Sequence, residues 1–217
     1  MSSLFHPLEQ TRQRPRALAL IAALGSVLLL AGCGGTGEGA GDEEEIRAVI
    51  EASATSTDPA DCLRYATLNM LEQTAKVQGE AAVRVCEETK RQDWPLPSAV
   101  TVTRLEIDGG SASAQVAYTG GLFSAQVPVI SLVEEDGSWK EDEILEFAEF
   151  DRDAFVLEFG RELLRGARSA AEVDAFRCMV RELNARDREE LEQLVLDPSP
   201  QPLLDLAMAC EGSSQTL

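Results

Sequence analysis

The 217-residue chain carries 38 acidic and 19 basic side chains, a formal net charge of −19, and is 44% hydrophobic. Binding to nucleic acid needs clustered lysine and arginine, and a surface this negative repels phosphates and anionic headgroups alike. The charge therefore argues against nucleic-acid partners and against a basic membrane patch; its plain reading is a well-solvated exported surface, with an acid-dependent partner or cation as the sharper one.

The N-terminus explains where such a surface belongs. Arg12, Arg14 and Arg16 precede an apolar stretch from Ala17 to Ala31, the layout of a secretory signal. Fifteen apolar residues broken by Gly25 and Ser26 fall short of the about 20 that a helical span needs, and the separated arginines do not fit a twin-arginine route. The stretch ends on Leu30-Ala31-Gly32-Cys33, which resembles the lipobox of bacterial lipoproteins. That resemblance implies cleavage between Gly32 and Cys33, lipid on the Cys33 sulfur (diacylglyceryl, with palmitate as the label to seek), and a protein held on the extracytoplasmic face of the cell membrane, where two or three acyl chains give stable attachment. Loss of residues 1–32 leaves 16 basic and 37 acidic side chains, a net charge of −21.

Residues 33–41 are glycine-rich and read as a flexible tether, with a reach on the order of 15 Å. Helical periodicity starts at Asp42, with Ile46, Val49 and Ile50 on one face and four acids at the positive end. Asp58-Pro59 reads as a cap and first helical position, opening a second helix that carries Cys62, Tyr65, Ala66, Met70 and Leu71. A third helix spans about Gly79 to Arg91 and carries Ala82, Val83 and Cys86. With Cys33 assigned to lipid, Cys62, Cys86, Cys178 and Cys210 form an even set in an exported chain, so two disulfides are expected. Three connectivities are open, and Cys62–Cys86 with Cys178–Cys210 is favoured because each pair lies in one helical region.

The period then changes from helical to alternating. Val100 to Ile107 and Ser111 to Tyr118 flank the turn Asp108-Gly109-Gly110; Thr119-Gly120-Gly121 turns into a strand over Leu122 to Val127; Pro128 interrupts; Val129 to Glu134 leads through Glu135-Asp136-Gly137-Ser138 to Trp139-Lys140. Four or five antiparallel strands after three helices mean an α+β fold. Over 42–150 this element order and the Asp136-Gly137-Ser138-Trp139-Lys140 turn resemble the nuclear transport factor 2-like superfamily, with its polyketide-cyclase-like and ketosteroid-isomerase-like branches. The resemblance implies a curved sheet wrapped into a cone, an apolar pocket under three helices, and dimerisation through the convex sheet face in some members. Cysteines paired between the second and third helices look like a feature of its exported, lipid-anchored members.

Residues 151–217 read as a small helical region. Phe155, Phe159 and Leu163 share a face, Ser169/Glu172 and Asp187/Glu190 have cap-plus-three spacing, and Ser199-Pro200 opens a last helix through Leu203, Leu206 and Cys210. A bundle this short has a marginal core of its own, so a disulfide staple and docking on the preceding domain are expected.

Chemistry is constrained by one absence: the single histidine, His6, lies in the signal, so histidine-based triads, dyads and zinc sites are set aside in the mature chain. No cofactor or metal is expected. Glu134-Glu135-Asp136 and Glu141-Asp142-Glu143 are acidic but lack the alternating spacing of a calcium loop, and their plain reading is a solvated turn. Enzymes of the resembled superfamily place a carboxylate in the cone, which leaves Asp61, Tyr65, Glu106 and Tyr118 as acid–base candidates, each with a plain structural role as well. Tyr65, Trp94, Tyr118 and Trp139 are the candidate pocket residues. Three readings follow: a non-enzymatic module binding a small apolar molecule or an envelope partner, an isomerase-, dehydratase- or cyclase-type enzyme, and a structural homodimer. A buried carboxylate facing a tyrosine across an open cavity favours the enzyme, a wholly apolar cavity favours binding, and a cone plugged by Phe and Leu favours the structural role.

Overall fold

A computed structural model describes residues 38–92 and 95–211. The Cys33 lipid site, the Gly32 cleavage site and Trp94 lie outside the described residues. Helix α1 (Glu38–Thr55) is followed by a 3-10 turn (Pro59–Asp61), α2 (Cys62–Tyr65), α3 (Leu68–Ala75) and α4 (Glu80–Arg91); then come β1 (Ala99–Asp108), β2 (Ser111–Thr119), β3 (Gln126–Glu135) and β4 (Ser138–Phe150), and finally α5 (Arg152–Gly166), α6 (Ala170–Ala185), α7 (Arg188–Leu196) and α8 (Gln201–Glu211). The strands form one open antiparallel sheet in the order β1-β2-β3-β4. The fold is α+β.

Three local expectations need correction. Helix α1 begins at Glu38, inside the glycine-rich stretch assigned to the tether, an extension ahead of the acids at 42–45 whose glycines cost only roughly 1 kcal/mol each. The second helix is two helices: Ala66 is extended, and Thr67 starts α3 by accepting a hydrogen bond from the Met70 N–H. The break is fixed by β4, since Thr67 N–H donates to the Glu141 carbonyl (2.8 Å) and Thr67 Oγ1 to Asp142 Oδ1 (2.7 Å). Finally, Leu122 to Ala125 is turn rather than strand, and Pro128 sits within β3. Proline is tolerated there because β2–β3 pairing has already ended at Gln115↔Val129 and the register against β4 shifts at Val127/Pro128.

Strand β4 is the element on which the rest is organised. Its partners on β3 skip Asp142, Leu145 and Ala148, three bulges three residues apart. Each bulge bends the strand and moves the buried face on by one residue, so the inward set changes from alternation (Trp139, Glu141) to every third residue (Ile144, Phe147, Phe150). The first half of β4 closes a core with Ile46, Ile50, Met70, Leu71, Ala82, Val116, Ile130 and Leu132, and the second half closes another with Phe155, Val156, Leu183, Leu191, Leu194 and Leu206. A row of ring contacts, Tyr118–Phe123–Phe147–Phe150–Phe155–Phe159, with centroids 5.0–6.2 Å apart, runs between the two cores.

The cysteines pair as favoured: Cys62–Cys86 joins α2 to α4, and Cys178–Cys210 joins α6 to α8. The expected caps also form, with Ser169 at α6 and a full capping box between Asp187 and Glu190 at α7.

The scarcity of basic residues leaves a mark on the helix ends. Helices α1, α6 and α7 have no lysine or arginine in their last turns, although a cation there satisfies orphan carbonyls and opposes the helix dipole. Each receives one from another element. Lys90 of α4 donates to the Ser53 and Ser56 carbonyls (3.4 and 2.8 Å), Arg152 to those of Asn184 and Arg186, and Lys76 to those of Val195 and Asp197 (2.6 and 2.5 Å). Beside Lys76, the buried Gln73 amide donates to the Ile144 and Leu196 carbonyls and accepts from Ile144 N–H (2.7 Å). Gln73→Ala strands the Ile144 groups and is expected to lower stability by about 2 kcal/mol, measured by urea denaturation.

Candidate functional site

Between the helices and the sheet lies a cavity of about 200 Å³. Its apolar wall is Met70 and Leu71 of α3, Phe123 of the turn, Pro128 and Ile130 of β3, and Ile144 of β4; its polar wall is Ser53 of α1, Asp61, Lys90 of α4, Tyr118 of β2 and Glu141 of β4, with the Cys62–Cys86 bridge between them. Cavities of about 150 Å³ accommodate a benzene ring, so this one is of single-ring size.

Glu141 is the unusual member. It is 7% exposed, its backbone is pinned by the Thr67 hydrogen bond, and its Oε2 accepts from Ser53 Oγ at 2.7 Å. Among the described residues no donor reaches Oε1, and no fully buried side-chain polar atom lacks a partner, so Oε1 opens onto the cavity. Burial pushes the carboxyl up to about 7, against the opposing pull of the Ser53 hydrogen bond and the Lys90 charge. Burial also pushes the Tyr118 phenol well above its ordinary value, with the negative charge of Glu141 as the second cause. Lys90 is held below the usual lysine range by burial, which outweighs the acids Asp61, Glu141 and Asp58. Its ammonium donates to the Ser53 and Ser56 carbonyls at the end of α1 and acts on Glu141 through its charge. Asp61 is occupied as well, accepting from Ser56 Oγ at 2.6 Å. The other Asp61 oxygen faces the Arg64 guanidinium at 3.6 Å, so among the described residues Glu141 Oε1 is the lining carboxylate oxygen with neither a hydrogen-bond donor nor an ion-pair partner.

Of the acid–base candidates, the structure brings Asp61 and Tyr118 to the cavity and leaves two away from it. Glu106 is exposed on β1, and Tyr65 packs beneath Arg64, whose guanidinium lies 5.1 Å from the ring centroid. Trp139, 2% exposed, belongs to the core and does not line the cavity. The reading of Glu141-Asp142-Glu143 as a solvated turn is also corrected: these residues lie in β4, with Glu141 inward, Asp142 bonded to Thr67 and Glu143 exposed. Among the described residues no cluster of three metal-ligating side chains converges, and no helix is long and apolar enough to cross a membrane.

The sequence signal for Glu141 was present in strand parity. Trp139 is core, and the residue two along on the same strand shares its face. An inward glutamate is the conclusion that alternation dictates.

Compared with protein-family models, curated proteins and solved structures, the chain matches none of them.

Proposed function

We propose that the chain is an exported, lipid-anchored protein whose nuclear transport factor 2-like cone domain binds a small molecule at Glu141. The lipobox at Leu30 to Cys33, the acidic surface and two disulfides support the extracytoplasmic address. Helices followed by a bulged, bending antiparallel sheet support the cone. The observation that carries the binding reading is the free Glu141 oxygen in an open, otherwise mainly apolar cavity, the pattern of an apolar site with a few convergent polar groups. The cavity is not plugged by Phe and Leu, which counts against a purely structural role.

A second reading is favoured by Tyr118. A carboxyl titrating at about 7 beside a phenol that stays protonated is a base next to a hydrogen-bond donor, the pair that isomerases and dehydratases need. In that case the bound molecule exchanges an acidic C–H for deuterium in D₂O in the wild type and not in Glu141→Gln.

Mass spectrometry of small molecules released from the full chain, purified from its membrane, tests the binding reading. The wild type is expected to release a species that Glu141→Gln does not, and identical profiles would contradict it. Labelled palmitate enters the wild type and not Cys33→Ala if the anchor is as proposed; label persisting in the variant would refute it.

A further inference from the structure

Resting on the reading of the cavity as a binding site, we infer that its ligand is a small organic cation, an ammonium group carried on an apolar body of single-ring size. Among the described residues Glu141 Oε1 has no protein donor, and an ammonium supplies one together with a positive charge in direct contact, which the more distant Lys90 does not provide. Lys90, the cation nearest in the site, does not supply it, because its ammonium is turned to the Ser53 and Ser56 carbonyls. Tyr118 and Phe123, with ring centroids 5.9 Å apart, adjoin where the polar and apolar walls meet and both line the cavity, and aromatic rings attract a cation. Met70, Leu71, Ile130 and Ile144 complete a surface for the apolar body. The net charge of −19 raises the concentration of cations, and lowers that of anions, at the cavity mouth.

The pH dependence follows from the groups that face Glu141: Ser53 from α1, Asp61 from the 3-10 turn, Lys90 from α4 and Tyr118 from β2. Asp61 is bonded to Ser56, and the Tyr118 phenol, pushed well above its ordinary value, stays neutral through the working range. Loss of the Lys90 proton on the alkaline side would act in the same direction as ionisation of Glu141. An ammonium ligand therefore binds more tightly as pH rises through the Glu141 transition, whereas a neutral acceptor that needs the protonated acid binds less tightly.

Isothermal titration of the full chain with cyclohexylamine, cyclohexanol and cyclohexanecarboxylate at pH 8 and pH 5.5 separates the cases. The amine is expected to bind at least about tenfold more tightly than the alcohol at pH 8 and to lose more than about tenfold at pH 5.5; in Glu141→Gln the preference disappears, with an unchanged near-ultraviolet dichroism spectrum showing that the variant is folded. Alcohol or carboxylate binding as tightly as amine overturns the cation inference and leaves the binding reading standing. If none of the three binds the natively folded wild type, both fall.

Discussion

Replacing Cys178 and Cys210 together by alanine is expected to lower stability by about 4 kcal/mol and to release α8 first. The bridge closes a loop with a sequence separation of 32, and in the chain-entropy model a loop of this length contributes roughly 3 to 4 kcal/mol; the two truncated, buried sulfur positions add a smaller packing loss. Helix α8 has 11 residues, too few to be stable alone, and packs chiefly on α6. Its amides should therefore exchange with solvent in the variant while those of β2 and β3 remain protected. Hydrogen exchange followed by mass spectrometry reads this directly. Uniform loss of protection across both cores would instead mean that the C-terminal helices and the sheet unfold as one unit.

The second large effect is a stability that runs opposite to the usual behaviour of a carboxylate. Glu141 has its folded pKa raised to about 7 from 4.5, so between these values the folded chain holds a proton that the unfolded chain has lost. Stability then falls as pH rises across that window, by about 3 kcal/mol, and the loss is complete above pH 7. Glu141→Gln keeps an acceptor for Ser53 and carries no charge. It is expected to remove this part of the pH dependence and to be more stable than the wild type at pH 8, while matching it near pH 5. Lys76 provides the internal check. Burial lowers it to about 8, against the pull of Asp197, so its contribution has the opposite sign and lies between pH 8 and 10.5, outside the Glu141 window. Urea denaturation of both proteins at pH 5 and 8 makes the comparison; parallel curves would show that Glu141 ionises freely in the fold.

Much of the fold was legible because its signals are local. The Ser169 and Asp187 caps, the Asp136-Gly137 hairpin turn with both residues at positive φ, and the inward Ile46, Val49 and Ile50 of α1 depend on neighbours a few residues away. The break at Ala66 was not legible, because the group that stabilises it, the Glu141 carbonyl, is remote in sequence. Pro128 misled for a related reason: its tolerance depends on where β2 stops pairing and where β4 bulges. The site was half legible. Tyr118 and Asp61 were named from residue type and position, while Glu141 was hidden in an acidic run whose composition suggests solvent. Its strand parity with Trp139 outweighs that composition. Lys90 and Lys76 were missed because their partners are helix-terminal carbonyls, which have no side-chain signature.

Carbon-13 NMR of the full chain labelled at glutamate side-chain carboxyls, with Glu141→Gln to assign the resonance, tests the central claim most directly. A midpoint near pH 7 for Glu141, shifting downward when cyclohexylamine is added, is the predicted result. A midpoint at the ordinary 4.5, unmoved by the amine, would show that the carboxyl is solvated like any surface acid and that the cavity holds no ionisable anchor.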